Sequence, residues 1–582
     1  MVDINQFKFS IASRHPKFLN AYDASTHSYK PEYISPAEWH LKLSFDIEDA
    51  LRLKRRELEE LQHSPIPSVN TGADTLVNTI ASLEKTIQNH NFWFRVEKIG
   101  MTINHPDGTQ SVRVTSTQDS AVNVLHPTVR LTQQGKYRIT SFVERKNNPA
   151  IQPKQLSKPM TLKDILICTI GDSYACGEGL PDVAATPNRA MKLYADRGAF
   201  RTLISIRDDS KEHTPELELA MWQEPLAHRS YNGGSTIAAQ LVSGAYADLQ
   251  LVSTHATFAR SGAKIHEGLI GPRWHSPRDY RNNRHLIDVE VNGTAFYAEQ
   301  FISSDSFGYL DDQRGDGQIT EMEQALGNRH PDFLIVTIGG NDCGWREGFV
   351  GIIRVTHNVP AVDVQDLVNQ YLEQELEKNL IALNERLKVM PNPPRFVLLT
   401  LYPNGFFGSG TAENPTTSRN CGIFDAIDLN PLGGSDSFIG IDDGEAEIIK
   451  TLAIALNQKL RSFASNQNQR NRQIEPDTNQ PHSTIDWHIV DGIDRDFETH
   501  GYCSETPWFI SAEKSFLTQG DWNGLLHPNS KGQEAYAKRI AEKIRAILNN
   551  HLEEFRPKEF QRVGDPRGGG SNPSTTTRSG VT

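Results

Sequence analysis

The stretch ILICTIGDSYACGEG, Ile165 to Gly179, decides the fold. Its first six residues are an apolar run of the length of one buried parallel strand. The run stops abruptly at Gly171-Asp172-Ser173. A serine on the turn after a parallel strand stands at the carboxyl edge of the sheet, where open α/β folds take their ligands. The glycines let the backbone turn tightly and come close to a substrate. Ser173 is therefore a candidate nucleophile, against the plainer reading of an ordinary turn.

Toward the C-terminus, further candidate core strands lie in a stretch within Leu249–Phe258 and at Phe333–Ile338, Phe396–Leu401 and Trp487–Val490. Helical patterns at Val364–Leu387 and Glu445–Phe463 separate them, and a third follows at 532–548. In the third, Tyr536, Ile540, Ile544 and Leu548 recur every four residues on one face. Strands alternating with helices predict a three-layer α/β/α domain around a mostly parallel, five-stranded sheet, spanning 164–555. Two polar stretches, 271–330 and 403–443, read as insertions, the second placed to cover a site at the strand ends. The tail 556–582 reads as disordered.

Toward the N-terminus, residues 1–150 read as a separate β-rich domain. Leu19–Ser28 and Trp39–Phe45 form a strand, a turn and a second strand; Phe92–Val96 is another. Thr128–Lys146 reads as a β-hairpin turning at Gln134-Gly135. Asp46 and Asp74 each cap a helical stretch, which predicts a helical hairpin inserted at about 46–90. Residues 151–163 have linker composition.

The whole chain bounds the function. A net charge of −12 argues against nucleic acid as a partner. No apolar run approaches the roughly 18 residues that span a bilayer. The segment MVDINQFKFS lacks the basic and apolar regions of a signal peptide. A cytoplasmic location is the expectation, with export by a leaderless route as the alternative. Cys168, Cys176, Cys343, Cys421 and Cys503 stand in no metal-ligand spacing, so reduced thiols are expected. A Cys421–Cys503 bridge is left open for an exported protein.

Three further stretches join Ser173. In ARSGAKI, Ala259 to Ile265, Gly262 can present a backbone N–H to a developing oxyanion. In VTIGGNDCGW, Val336 to Trp345, Asn341 can present a side-chain N–H to the same oxygen. In LLHPNSKG, Leu525 to Gly532, His527 is the candidate general base. In this order the four blocks resemble the SGNH hydrolases, the GDSL-type esterases and lipases. GDSYACGEG, with His228-Arg-Ser230, is similar to the secreted-esterase-like branch. The resemblance implies a flavodoxin-like domain. It also implies a serine esterase or lipase with a Ser173, Gly262 and Asn341 oxyanion hole, and no metal or organic cofactor. An ester, small or lipid, is the implied substrate. A catalytically inactive binding protein on the same fold, and a carbohydrate acetylesterase, are the alternatives.

One position departs from the family pattern. The aspartate usually found three residues before the histidine is Gly524 here, while Asp521 lies six residues before. Either Asp521 completes a triad, or the Gly524 carbonyl takes the place of the carboxylate; both would hold the Nδ1–H. His228 and His500 are alternative bases, read more plainly as structural hydrogen-bonders. Asp172 reads as a turn residue.

In the N-terminal region, Asp23-Ala-Ser with Ser28, Trp39, and Gly135, Tyr137 and Thr140 resemble immunoglobulin-like domains of the PKD type. The resemblance implies a β-sandwich that docks to a polymer, a surface or a protein. DQRGDGQITEME, Asp312 to Glu323, resembles an EF-hand loop with Asp312, Asp316 and Glu323 as weak calcium candidates. Arg314 stands where an oxygen ligand is needed.

Overall fold

The computed structural model describes residues 4–23, 25–62, 70–104, 110–148, 151–185, 220–224, 227–246, 249–272, 290–291, 294–295, 316–343, 361–407, 421–422, 440–441, 443–474, 483–519 and 523–555. The N-terminal strands are β1 (Phe7–Ile11), β2 (Trp39–Phe45), β3 (His90–Asn104), β4 (Gln110–Asp119), β5 (Thr128–Leu131) and β6 (Gly135–Arg145). Helices α1 (Asp46–Gln62) and α2 (Asn70–Asn89) lie between β2 and β3 and are bridged by Arg55 and Glu84 at 2.6 Å. Strand β2 buries every second residue, so Trp39, Leu41, Leu43 and Phe45 face one core.

Three expectations for this region fail. Helix α2 begins at Asn70, so Asp74 stands inside it and does not cap it. Strands β5 and β6 do not pair with each other. The first joins β2 in a three-stranded sheet, the second pairs with β3 and β7, and the turn between them crosses from one sheet to the other. Residues 151–163 are not a linker. From Lys154 they enter β7 (Lys154–Gly171), an 18-residue strand whose first half pairs antiparallel with β6. The polar composition that suggested a linker belongs to its solvent face. Gln155, Ser157 and Pro159 are exposed, while Leu156 and Met160 pack into the N-terminal core.

Strand β7 thus belongs to two structures. Its second half pairs in parallel with β8 (Leu249–Thr257) and with β9 (Phe333–Thr337). Beyond β9 come β10 (Phe396–Thr400) and β11 (Asp486–Val490), so the parallel order is β8-β7-β9-β10-β11. Thr161 and Leu162 pair with β6 on one edge and β8 on the other, which makes one continuous sheet of the two regions.

Helices α3 (Ser173–Cys176), α4 (Gly234–Val242), α5 (Ala361–Gln374), α6 (Leu376–Lys388), α7 (Asp443–Asn471), α8 (Ala512–Gln519) and α9 (Ser530–Asn550) surround this sheet. The segment Val364–Leu387, expected as one helix, is divided between α5 and α6 at Glu375. Alternate strand residues face opposite ways. Phe396 stacks near His551 and Phe555 beyond α9, while Trp487, in register with Val397, packs on Phe463 of α7 and donates to Asn384 of α6. Helices therefore cover both faces, which is why the strands read as unbroken apolar runs.

The N-terminal residues also grip the end of β8. Tyr33 Oη donates to the His255 carbonyl at 2.8 Å, and Tyr29 Oη accepts from the Thr257 N–H at 2.8 Å. Among the described residues no helix is long and apolar enough to cross a membrane. Cys168, Cys176 and Cys343 are free and buried, but Cys503 is disulfide-bonded, so the expectation of reduced thiols fails there.

Candidate active site

The nucleophile turn is forced by close packing. Gly171 has φ +144°, and a Cβ there would lie 2.3 Å from the Thr337 carbonyl of β9. Asp172 follows, its N–H bonded to that carbonyl at 2.9 Å. Its carboxylate caps α3 by accepting from the Tyr174 N–H at 3.0 Å and takes a second bond from the Tyr402 hydroxyl. Ser173 is the first residue of α3, 9% exposed, at the carboxyl end of β7.

His527 comes from the turn before α9, which Asn529 caps through Lys531 N–H and Gly532 N–H. Leu526 has φ +61°, a left-handed conformation that a leucine rarely adopts. Three bonds hold it there: Leu526 N–H to the Ile510 carbonyl at 3.1 Å, Ile510 N–H to the His527 carbonyl at 2.8 Å, and the Tyr174 hydroxyl to the Leu526 carbonyl at 2.7 Å. The His527 Nε2 lies 2.7 Å from Ser173 Oγ. Its Nδ1 lies 3.1 Å from the Leu525 carbonyl oxygen. A carbonyl can only accept, so Nδ1 carries the proton and Nε2 presents its lone pair to the serine.

Two loops close the site at the ends of the neighbouring strands. After β8, Gly262 has φ +69°. Its loop is tied to the nucleophile strand by Arg260 N–H on the Gly171 carbonyl at 3.1 Å. The buried Arg229 guanidinium holds the same segment through the Phe258 and Ala259 carbonyls at 3.1 and 3.0 Å. After β9, Asn341 donates one amide hydrogen to the Ala263 carbonyl at 3.1 Å, which fixes the amide and leaves the second hydrogen for a ligand. Asp342 accepts from Ile265 N–H at 2.9 Å and bonds the two loops together.

Burial pushes the Asp172 carboxyl up to about 7 against its bonds from Tyr402 and Tyr174, and Asp342 up to about 6. Burial also lowers His527 below the usual imidazole value, opposed by the charge of Glu178 and by the carbonyls of its own turn. The imidazole is therefore neutral near pH 7, the form a general base requires.

Ser173, Gly262, Asn341 and His527 thus come from adjacent strand ends and one facing turn. Asp521 lies outside the described residues. The Gly524 carbonyl accepts from the His527 backbone N–H at 3.1 Å and, with those of Leu525 and Asn523, acts on the imidazole; the Leu525 carbonyl is the one bonded to Nδ1, at 3.1 Å. Neither alternative base serves: His228 pairs with Glu178 at 2.8 Å, and His500 bonds the Thr506 carbonyl and stacks on Trp508. Of the calcium candidates, Asp312 lies outside the described residues. Asp316 accepts from Gln324, and Glu323 holds both terminal nitrogens of Arg386. Sequence reasoning did not find Arg229, Tyr402 or Glu178 as parts of the site. Glu178 stands inside the motif itself, and a carboxylate five residues after the nucleophile was the available signal.

A family model described as GDSL-like Lipase/Acylhydrolase matches residues 167–540. Among solved structures, the chain is similar to an extracellular lipase from Streptomyces rimosus. The identity is 14% and the TM-score 0.34, covering 65% of this chain and 99% of the lipase. It is also similar to a phospholipase A1 from Streptomyces albidoflavus, with 14% identity and a TM-score of 0.33 over 65% and 98% of the two chains. A family two carbohydrate esterase from Clostridium thermocellum matches with 11% identity and a TM-score of 0.21 over 80% and 90%. No curated protein sequence matches.

Proposed function

The chain belongs to the GDSL-like lipase/acylhydrolase family and is an ester-bond hydrolase, and from that premise we infer that it works through a Ser173–His527 dyad. The observation that carries this reading is the 2.7 Å contact between Nε2 and Oγ, with Nδ1 on a backbone carbonyl.

His527 Nε2 takes the hydroxyl proton as Ser173 Oγ attacks the ester carbonyl. The carbonyl oxygen becomes an oxyanion, received by the backbone N–H groups of Ser173 and Gly262 and the free amide hydrogen of Asn341. The imidazolium then returns the proton to the leaving alcohol, and the acyl group stays on Oγ. Water, deprotonated by the same imidazole, releases the acid and regenerates the serine. The Leu525 carbonyl holds the tautomer throughout, which is one of the services of a triad aspartate. No step calls for a metal or an organic cofactor.

The N-terminal region, similar to PKD-type immunoglobulin domains, acts in this reading as a wall of the enzyme more than as a docking module. Its support is the shared strand β7 and the grip of Tyr29 and Tyr33 on β8. Membership of the secreted-esterase-like branch belongs to the same reading, and the Cys503 disulfide favours an oxidising compartment over the cytoplasm.

The test is hydrolysis of p-nitrophenyl esters of increasing chain length by wild type and Ser173→Ala, with fluorophosphonate labelling in parallel. Loss of both activity and labelling in Ser173→Ala is the expected result. Labelling that persists in the variant would place the nucleophile elsewhere.

A further inference from the structure

A second buried histidine–carboxylate pair lies beside the dyad, and the mechanism above does not use it. Glu178 is five residues past the nucleophile and has no exposed surface. It accepts from Gln519 Nε2 of α8 at 2.9 Å and contacts His228 Nδ1 at 2.8 Å. His228 is held for this contact: its φ is +48°, and its ring stacks on Trp222 at 4.8 Å and 11°. The Ser261 hydroxyl, one residue before Gly262, also acts on the carboxylate. The segment is pressed against the base. A Cβ on Gly524 would lie 2.8 Å from Gly179 Cα and 3.1 Å from Gln519 Oε1.

Burial alone would protonate such a carboxyl. Its pair with His228, together with the charge His527 takes on when it is protonated, outweighs this and holds Glu178 below the usual carboxylate range. Among the described residues the titratable groups acting on it are these two histidines and the buried Cys176 thiol, which its charge pushes up; Gln519 and Ser261 are neutral. In return, the negative charge of Glu178 is the largest influence raising His527 against its own burial. A backbone carbonyl on Nδ1 orients the imidazole but brings no net charge to balance the imidazolium that forms during the reaction.

We propose that Glu178 is a positioning residue for His527, a buried carboxylate fixed by His228 and Gln519 that supplies from the nucleophile loop the negative charge a triad aspartate would supply. The inference rests on the Ser173–His527 reading. It divides the two services of a triad acid: Leu525 holds the tautomer and Glu178 balances the charge.

The test compares wild type, Glu178→Gln and Glu178→Asp, with Ser173→Ala as the control for the dyad itself. The readouts are kcat and KM on a p-nitrophenyl ester and the rate constant of fluorophosphonate labelling, which needs no knowledge of the natural substrate. Glu178→Gln keeps the shape and loses the charge. It is expected to lower kcat and the labelling rate by about tenfold or more, with KM little changed. The acid limb of kcat/KM should move to lower pH, and Glu178→Asp should recover part of the loss. A Glu178→Gln enzyme with wild-type kcat, labelling rate and acid limb overturns the proposal. If circular dichroism shows that Glu178→Gln does not fold, His228→Asn reads the same charge, because asparagine tolerates the left-handed backbone. Without the His228 charge, burial pushes the Glu178 carboxyl up, toward its protonated form. Labelling by that variant should be slower than in wild type and recover as pH rises, and a wild-type rate with a wild-type pH profile overturns the proposal. Labelling that survives Ser173→Ala would refute the dyad, independently of any Glu178 result.

Discussion

The indole N–H of Trp39 donates to the carboxylate of Asp164 at 3.0 Å, joining β2 of the N-terminal sheet to the shared strand β7 that carries the nucleophile turn. The same carboxylate accepts from Arg329 at 3.0 Å and from Thr254 Oγ1 at 3.0 Å, with the Arg14 guanidinium at 4.0 Å. Asp164 has no exposed side chain, and both arginines are largely buried. A charge network of this kind, set between two cores that share a strand, makes them unfold together.

Asp164→Ala is therefore expected to destabilise the whole chain, by roughly 3–5 kcal/mol, because two buried guanidinium groups and an indole N–H lose their acceptor. Asp164→Asn should cost less, since an amide oxygen can still accept. Urea melts followed by circular dichroism and by fluorophosphonate labelling should give coincident transitions in wild type. If the labelling capacity of Asp164→Ala melts as in wild type while β-signal is lost, the two cores are independent and the argument is wrong.

Asp521→Asn is expected to keep kcat within about threefold of wild type, because Nδ1 of His527 already has the Leu525 carbonyl. The acid limb of kcat/KM should lie below pH 6.5. The neutral imidazole is the active form and burial lowers its pKa, so activity falls only as pH drops through that lowered value. A loss on the order of 10⁴ in kcat, the effect of removing a triad aspartate, would restore the aspartate to the dyad.

The inner parallel strands were legible because they are buried on both faces and so read as unbroken apolar runs. Phe333–Thr337 and Phe396–Thr400 are cases. Ser173, Gly262 and Asn341 could be picked out because each follows the end of such a strand, and His527 because it stands in the turn just before the last helix. What composition hid was partnership. The first half of β7 looks like a linker because an antiparallel strand with one wet face is polar at alternate positions. The turn at Gln134-Gly135 looks like a hairpin because nothing local says that its two strands join different sheets. Glu178 was passed over because a carboxylate gains meaning only from a histidine 50 residues away and a glutamine 341 residues away.

Asn341→Ala is expected to lower kcat by on the order of 10²–10³ with little change in KM, the usual result of removing one oxyanion donor. The change also frees the Ala263 carbonyl from its bond to the amide, so a modest loss of stability should accompany it. Steady-state kinetics at saturating ester, with melting temperature alongside, separates the two. A variant with unchanged kcat would remove Asn341 from the oxyanion hole.

Asp172 supplies a prediction about pH and stability. Its carboxyl rises from 3.8 to about 7 on folding, by burial, while the Tyr402 and Tyr174 bonds and the nearby Asp342 set the remainder. Between pH 4 and 7 the folded protein keeps a proton that the unfolded chain has lost. Stability from this group is therefore greatest in acid, falls as pH rises through that window, and is level above it. At about 1.4 kcal/mol per pKa unit, the loss is of order 4 kcal/mol at most. Asp172→Asn removes the titration while keeping an oxygen for the Tyr174 N–H, although the Tyr402 hydroxyl must find another acceptor. Urea midpoints measured from pH 5 to pH 8 should fall less steeply in the asparagine variant than in wild type. Parallel slopes would mean that Asp172 is ionised in the folded enzyme throughout this range, and that the Tyr402 hydroxyl donates to a carboxylate and not to a carboxylic acid.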